Sequence, residues 1–307
     1  MNLKKGELSQ AAALKALAAK VPTPFPFKAS PAFINKARTL DPDDPVLAQV
    51  IPTAAEQQQK PGFCEDPLAE KNYTPLPGLI CKYNSRALIY TTSACFLNCR
   101  FCFRRYFKNN SFDPDRQDLD RIITFLTREN ISEVILSGGD PFKMKRELLA
   151  YLLQKLKKTS TIKRLRLHTR MPVSAPHMAR PEILSLFDGF TKILVLHSNH
   201  PQEIDAETVQ ALDTCRTHGF TLFNQSVLLK NINDRVEILA ELSEKLFAAN
   251  VLPYYLHQLD PARGTAHFQV ALSRGKDLIK KLAARLPGYM LPRYVRELPG
   301  RPYKKLL

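Results

Sequence analysis

Acidic residues are scarce here relative to basic ones. The 307-residue sequence has 29 Asp and Glu against 45 Lys and Arg, a formal charge of +16. Such a charge attracts polyanions and acidic protein surfaces. No aromatic-interleaved basic stripe or nucleic-acid motif accompanies it, so a generally basic, soluble surface is the better reading. No apolar run approaches the roughly 18 residues of a membrane-crossing helix. The charged start, apolar stretch and cleavage pattern of a secretory leader are missing too, so the expected location is cytoplasmic. Cysteines number only six, three of them clustered. No second short-spaced pair completes a zinc knuckle, and so few thiols suit a reducing compartment better than a disulfide framework. Cys64, Cys81 and Cys215 are scattered and read as ordinary buried thiols. The 44% hydrophobic content is enough to fill a sizeable core.

What is present centres on Cys95-Phe-Leu-Asn-Cys99-Arg-Phe-Cys102, a C-x3-C-x2-C string that follows the apolar run Arg86-Ala-Leu-Ile-Tyr-Thr-Thr92. Thiolates gathered by a short loop ligate soft iron. Three cysteines leave one iron of a [4Fe–4S] cluster without a protein ligand, an arrangement suited to binding a small molecule.

Residues 1–75 read as an N-terminal helical and loop extension. Leu8 to Ala18 is built of helix formers, and prolines at 22, 24, 26 and 31 lead into the Asp41-Pro-Asp-Asp-Pro45 turn cluster. A second helix is expected from Pro45 to Ile51, and loop returns through Gln57–Gly62 and Asp66-Pro67. The extension is expected to pack around the rest as a collar without chemistry of its own.

From residue 76 to 286 the pattern alternates. Strands are expected at 86–92, 132–137, 162–168, 191–197, 220–228 and 250–257, and helical stretches near 116–128, 145–157, 180–187, 204–217 and 234–248. Leu119, Ile122, Ile123 and Leu126 form the apolar stripe of a core-facing helix. Apolar strands alternating with helices imply a parallel sheet with right-handed crossovers. The economical α/β architecture is a partial (β/α)6 TIM-like barrel, closed by a helix at about 271–285 and a basic tail over 287–307. Barrel sites form at the C-terminal ends of strands. Each expected strand ends in or contains such residues: the cysteines, Gly138-Gly-Asp140, His168-Thr-Arg170, His197-Ser-Asn199-His200, Asn224-Gln225 and His257-Gln-Leu-Asp260. A Gly-Gly turn also lets backbone approach a neighbour closely.

The cysteine spacing after a first strand resembles the radical S-adenosylmethionine superfamily. The longer string Cys95 to Tyr106 resembles the lysine 2,3-aminomutase family, as do Ser137-Gly-Gly-Asp-Pro, His197-Ser-Asn-His-Pro, Asn224-Gln-Ser and Pro253-Tyr-Tyr-Leu-His-Gln-Leu-Asp260. The resemblance implies a [4Fe–4S] cluster on Cys95, Cys99 and Cys102, with S-adenosylmethionine on the open iron. Gly138, Gly139 and Asp140 would meet the amino group of that ligand, and His168, Arg170 and Asn199 are candidates around it. The resemblance further implies pyridoxal phosphate held by a lysine near the C-terminus. Lys304, ahead of Lys305, takes that place, and Arg86 pairs with the phosphate.

Arg104 matches the arginine for the substrate carboxylate, where a planar guanidinium suits better than an ammonium. Asp260 and Glu297 match two acidic positions for an ε-ammonium, which favours lysine over glutamate. Glu297 stands where an aspartate is expected.

No cysteine follows Cys215, so the zinc-bearing segment of the long fermentative members is not expected. The short form resembles the bacterial aminomutase that makes (R)-β-lysine for elongation factor P. That form implies a flavodoxin or ferredoxin as electron donor and a functional link to the factor and its ligase. Lysine catabolism, another amino-acid aminomutase, and a metal-bearing nucleic-acid-binding module are the alternatives.

Overall fold

A computed structural model describes residues 5–106 and 112–307. Its frame is a nine-stranded sheet in sequential order: β1 (Leu79–Tyr83), β2 (Arg86–Thr92), β3 (Glu133–Gly138), β4 (Arg164–Thr169), β5 (Thr191–His197), β6 (Thr221–Leu228), β7 (Leu252–Gln258), β8 (Arg293–Arg296) and β9 (Lys305–Leu306). Strands β2 through β8 run parallel, each beside the next, while β1 and β9 pair antiparallel at the two ends. The six expected parallel strands are thus present, and the C-terminal stretch adds a seventh. Arg293-Tyr-Val-Arg296 is short and flanked by charge, so no apolar run marked it beforehand.

Connecting helices cover the outer face. The helix Arg116–Arg128 starts at an N-cap, Asp115, whose side chain accepts from the Asp118 amide, and it buries Leu119, Ile122 and Leu126. The main apolar core lies between such stripes and the strands, including Leu136, Leu152, Leu167, Leu194 and Leu246. Two expected helices are shorter than the pattern suggested. The 180–187 stretch is a single turn, Pro181–Leu184, running into a 3-10 turn, Ser185–Phe187. Proline 45 is followed only by a 3-10 turn, Leu47–Gln49.

Among the described residues β1 does not pair with β9, so the sheet is an open barrel. Side chains span that opening. Glu297, just after β8, binds Lys82 and Tyr83 of β1, and Lys82 Nζ also reaches the Leu298 carbonyl at 2.8 Å. The Gly300 amide donates to the Tyr73 hydroxyl at 2.7 Å. No described helix is long and apolar enough to cross a membrane.

Candidate active site

The barrel encloses a cavity of about 500 Å³. It runs from Arg86, at the start of β2, to the cysteine loop beyond its end. Cys95, Cys99, Cys102, Arg104, Gly139, Asp140, His168, Arg170, Asp260, Glu297 and Lys304 all line it. Residues from both ends of the sequence therefore share one space. Gly138 and Asn199 do not form its wall.

The cysteine loop is held from behind by the N-terminal extension. Arg100 is 0% exposed. Its amide donates to the Gln49 carbonyl at 2.8 Å, its Nη1 reaches the Phe25 carbonyl at 2.6 Å, and its Nε meets Glu56 Oε1 at 2.7 Å. Glu56 also binds Arg105, so one carboxylate bridges two arginines that flank the cysteines. Asn98 completes the clamp through the Lys28 and Pro26 carbonyls. Arg170 donates from Nη1 to Cys99 Sγ at 3.1 Å and from Nη2 to Gln49 and Glu203. A guanidinium against that sulfur favours the thiolate needed for metal ligation. The collar without chemistry is thereby corrected: Gln49, Glu56 and Glu70 all come from it, and the first two build the back of the cysteine loop.

The Gly138-Gly139-Asp140 turn packs on that loop. Gly138 has φ +108°, and a Cβ there would lie 2.5 Å from the Tyr90 ring. A Cβ on Gly139 would lie 2.0 Å from the Ala94 carbonyl oxygen. The absent side chains make room for Tyr90 and Ala94, and through them for the cysteines. Asp140 accepts from Thr169 Oγ1 at 2.8 Å, from the Arg170 amide at 2.9 Å and from the Phe142 amide at 3.1 Å. Burial pushes its carboxyl up to about 6 against those bonds. Its carboxylate ties the end of β3 to the end of β4. Asn199 is likewise engaged inside the protein, accepting from the Val227 amide at 2.8 Å and donating to Gln49 Oε1 at 2.9 Å.

The other side of the cavity is an ionic cluster. Lys304 Nζ and Lys82 Nζ both bind Glu297, and the Tyr83 hydroxyl donates to it at 2.7 Å. Burial works against the Glu297 anion, but Lys304 and the donors around it outweigh burial and hold the carboxyl down to about 2. Lys305 lies in β9 and is exposed, which separates it from Lys304. Asp260 makes no side-chain ion pair among the described contacts, and burial raises its carboxyl to about 7. Arg86, Arg166 and Arg293 line the same cavity. The Nε2 atoms of His168 and His257 are buried in the wall without partners. Burial, reinforced by nearby cations such as Lys304, keeps both rings neutral.

The sequence has relatives of known family. The profile of the Radical SAM superfamily matches residues 89–242. An L-lysine 2,3-aminomutase of Haemophilus influenzae is 37% identical over 310 residues, covering 100% of this chain and 89% of that protein. That of Escherichia coli is 38% identical over 283 residues, covering 91% and 82%. The chain belongs to the lysine 2,3-aminomutase family. Lysine 2,3-aminomutases are isomerases within the radical SAM superfamily, which sets aside the nucleic-acid-binding module. Two solved structures share the fold at 16% identity. A radical SAM methyltransferase from Sphaerobacter thermophilus has a TM-score of 0.52 over 71% of this chain and 68% of that one. SuiB of Streptococcus suis, bound to S-adenosylmethionine, has 0.50 over 70% and 51%.

Membership implies a [4Fe–4S] cluster and S-adenosylmethionine, and the residues fit. Three thiols line one end of a cavity large enough for a small ligand, and Cys99 already accepts a guanidinium N–H. In this aminomutase the residues that sequence reasoning missed are Glu70, Gln49, Glu56, Glu203, Lys82 and Tyr83. Glu203 lies three residues past the His197-Ser-Asn-His motif, close enough in sequence for that motif to have pointed to it. The others lie in segments whose composition carries no such signal.

Proposed function

We propose that this aminomutase converts L-α-lysine to (R)-β-lysine with pyridoxal phosphate, for attachment to elongation factor P, working in the cytoplasm with a flavodoxin or ferredoxin as reductant. The observation that carries the substrate reading is the pairing of opposite charges within one cavity: Arg104 near the cysteines, and Asp260 with Glu297 beside Lys304. An amino acid with a cationic side chain presents a matching carboxylate and ammonium. The elongation factor P link rests on the family resemblance alone.

When bound, the cluster with S-adenosylmethionine and the pyridoxal phosphate supply the radical and the amino-group-carrying chemistry. The protein's own part is to bind and orient. Cys95, Cys99 and Cys102 would hold the iron, and Lys304 would carry the pyridoxal phosphate, with Arg86 on its phosphate. Arg104 takes the substrate carboxylate, and Asp260 and Glu297 take the ε-ammonium. Glu297 pairs through Oε2 with the Lys304 ammonium and through Oε1 with Lys82 and Tyr83, so Oε2 is the oxygen beside the cofactor lysine. Neutral His168 and His257 add no positive charge to that end of the cavity.

The test is an anaerobic assay of reconstituted protein with reductant, S-adenosylmethionine and L-lysine, followed by chiral analysis. Predominantly (R)-β-lysine is expected, and the (S) isomer would move the enzyme to lysine catabolism. Cys99→Ala is expected to abolish S-adenosylmethionine cleavage. Lys304→Ala should retain cleavage and make no β-lysine, and normal product from that variant would refute the lysine's assignment.

A further inference from the structure

Arg104 is partly occupied before any substrate arrives. Glu70, at the head of the 3-10 turn Glu70–Tyr73, accepts from Arg104 Nε at 2.9 Å and from Nη2 at 2.6 Å. Ser137 Oγ accepts from Nη1 at 3.2 Å. The Phe103 and Tyr90 rings flank the guanidinium at 4.8 and 5.3 Å from Cζ. Both side chains of the ion pair are 11% exposed. An arginine has five N–H donors in a rigid fork. Glu70 takes the side edge with two of them and Ser137 takes a third. One hydrogen remains on each terminal nitrogen, and a carboxylate matches such a pair. Arg104, Glu70 and Ser137 all line the cavity.

We propose that Glu70 is a positioning residue for the substrate. By occupying the side edge of Arg104 it fixes the plane of the guanidinium, so that the remaining terminal N–H groups meet the α-carboxylate of the amino acid. This rests on Arg104 being the carboxylate's partner. Its physical content is the need for two acceptors. A glutamine at position 70 keeps the size but offers one oxygen and one NH2, and the NH2 would face an arginine donor. The 2.9 Å bond from Nε to Oε2 is then lost and only the 3.2 Å contact from Nε to Oε1 can be kept, which loosens the hold on the fork.

The experiment compares L-lysine with L-lysinamide, whose neutral carboxamide cannot form the ion pair, in wild type, Glu70→Gln, Glu70→Asp and Arg104→Met. Glu70→Gln should raise KM for L-lysine about tenfold, in line with a weakened charge-assisted pair. Because the buried pair is broken its thermal midpoint should fall as well, so the discriminating readout is the change in KM against that in kcat. Its preference for lysine over lysinamide should fall. Glu70→Asp, which keeps two acceptors on a shorter arm, should lose a smaller part of that preference.

If Arg104→Met leaves the preference intact, the reading of Arg104 fails. If Arg104→Met removes the preference while Glu70→Gln retains the wild-type KM and preference, the Glu70 proposal alone is overturned. Equal losses with both ligands in Glu70→Gln would also overturn it, because a general structural role predicts that result. Should Glu70→Gln fail to fold, Glu70→Asp decides, and an unchanged preference there counts against the proposal.

Discussion

Asp260 lies at the end of β7 in the wall of the cavity, where burial, with Glu297 and Glu70 nearby, raises its carboxyl to about 7 against the pull of Lys304. A carboxyl with a raised pKa is protonated below that value and anionic above it. Only the anion holds an ammonium. KM for L-lysine should therefore climb as pH falls below about 7, approaching about tenfold per pH unit. Asp260→Asn should raise KM at neutral pH and flatten the profile on that side. An unchanged acid limb in the variant would remove Asp260 from ammonium binding. The alternation of β7 made Asp260 visible beforehand as a strand-end residue. Its proton affinity was not visible, because it comes first from burial and then from Glu297 and Glu70, which the fold brings near it.

At the level of elements, the cysteine loop depends on a segment far from it in sequence. Glu56 closes a 3-10 turn, Ala54–Gln57, and bridges Arg100 and Arg105. Removing one partner of such a buried pair leaves an uncompensated charge, so Glu56→Ala should cost about 3–5 kcal/mol. Burial raises the Glu56 carboxyl, but Arg100 and Arg105 outweigh it and hold it below the ordinary carboxylate value. The stabilisation is therefore complete above that ordinary value and disappears as pH falls through the depressed one. Thermal midpoints of wild type and Glu56→Ala measured from pH 7 downward should converge in acid. A constant gap would show that packing, not charge, accounts for the loss. Sequence reasoning found the loop through its cysteine spacing. It could not find the clamp, since Glu56 sits in a polar Ala-Ala-Glu-Gln stretch that reads as surface.

For the whole molecule, six of the seven parallel strands were legible because each is an apolar segment between helical stretches, and β2 and β5 match their expected limits, 86–92 and 191–197. The extension packs on the barrel as expected, but its hold on the cysteine loop lies in backbone carbonyls and single side chains, which leave no pattern in the sequence. Lys28, Pro26, Phe25 and Gln49 all offer carbonyls to Asn98 or Arg100. A protein lacking residues 1–75 is accordingly expected to lose its iron, because the loop would have no rear support and Arg100 no partner. Iron and sulfide per chain after anaerobic reconstitution measure this, and full occupancy in the truncated protein would show that the loop folds alone.

The sequence by itself determined the parallel α/β frame, the metal-binding loop and the family, because apolar periodicity and close cysteine spacing are local properties that survive without contacts. Tertiary structure alone decided what surrounds them. It placed Lys82 against Glu297 across the open edge of the barrel, gave Glu70 to Arg104, and turned Gly138-Gly139-Asp140 and Asn199 toward the support of the loop. Those pairings join residues separated by tens to hundreds of positions. Their energies depend on burial and mutual orientation, which exist only once the sheet has curved.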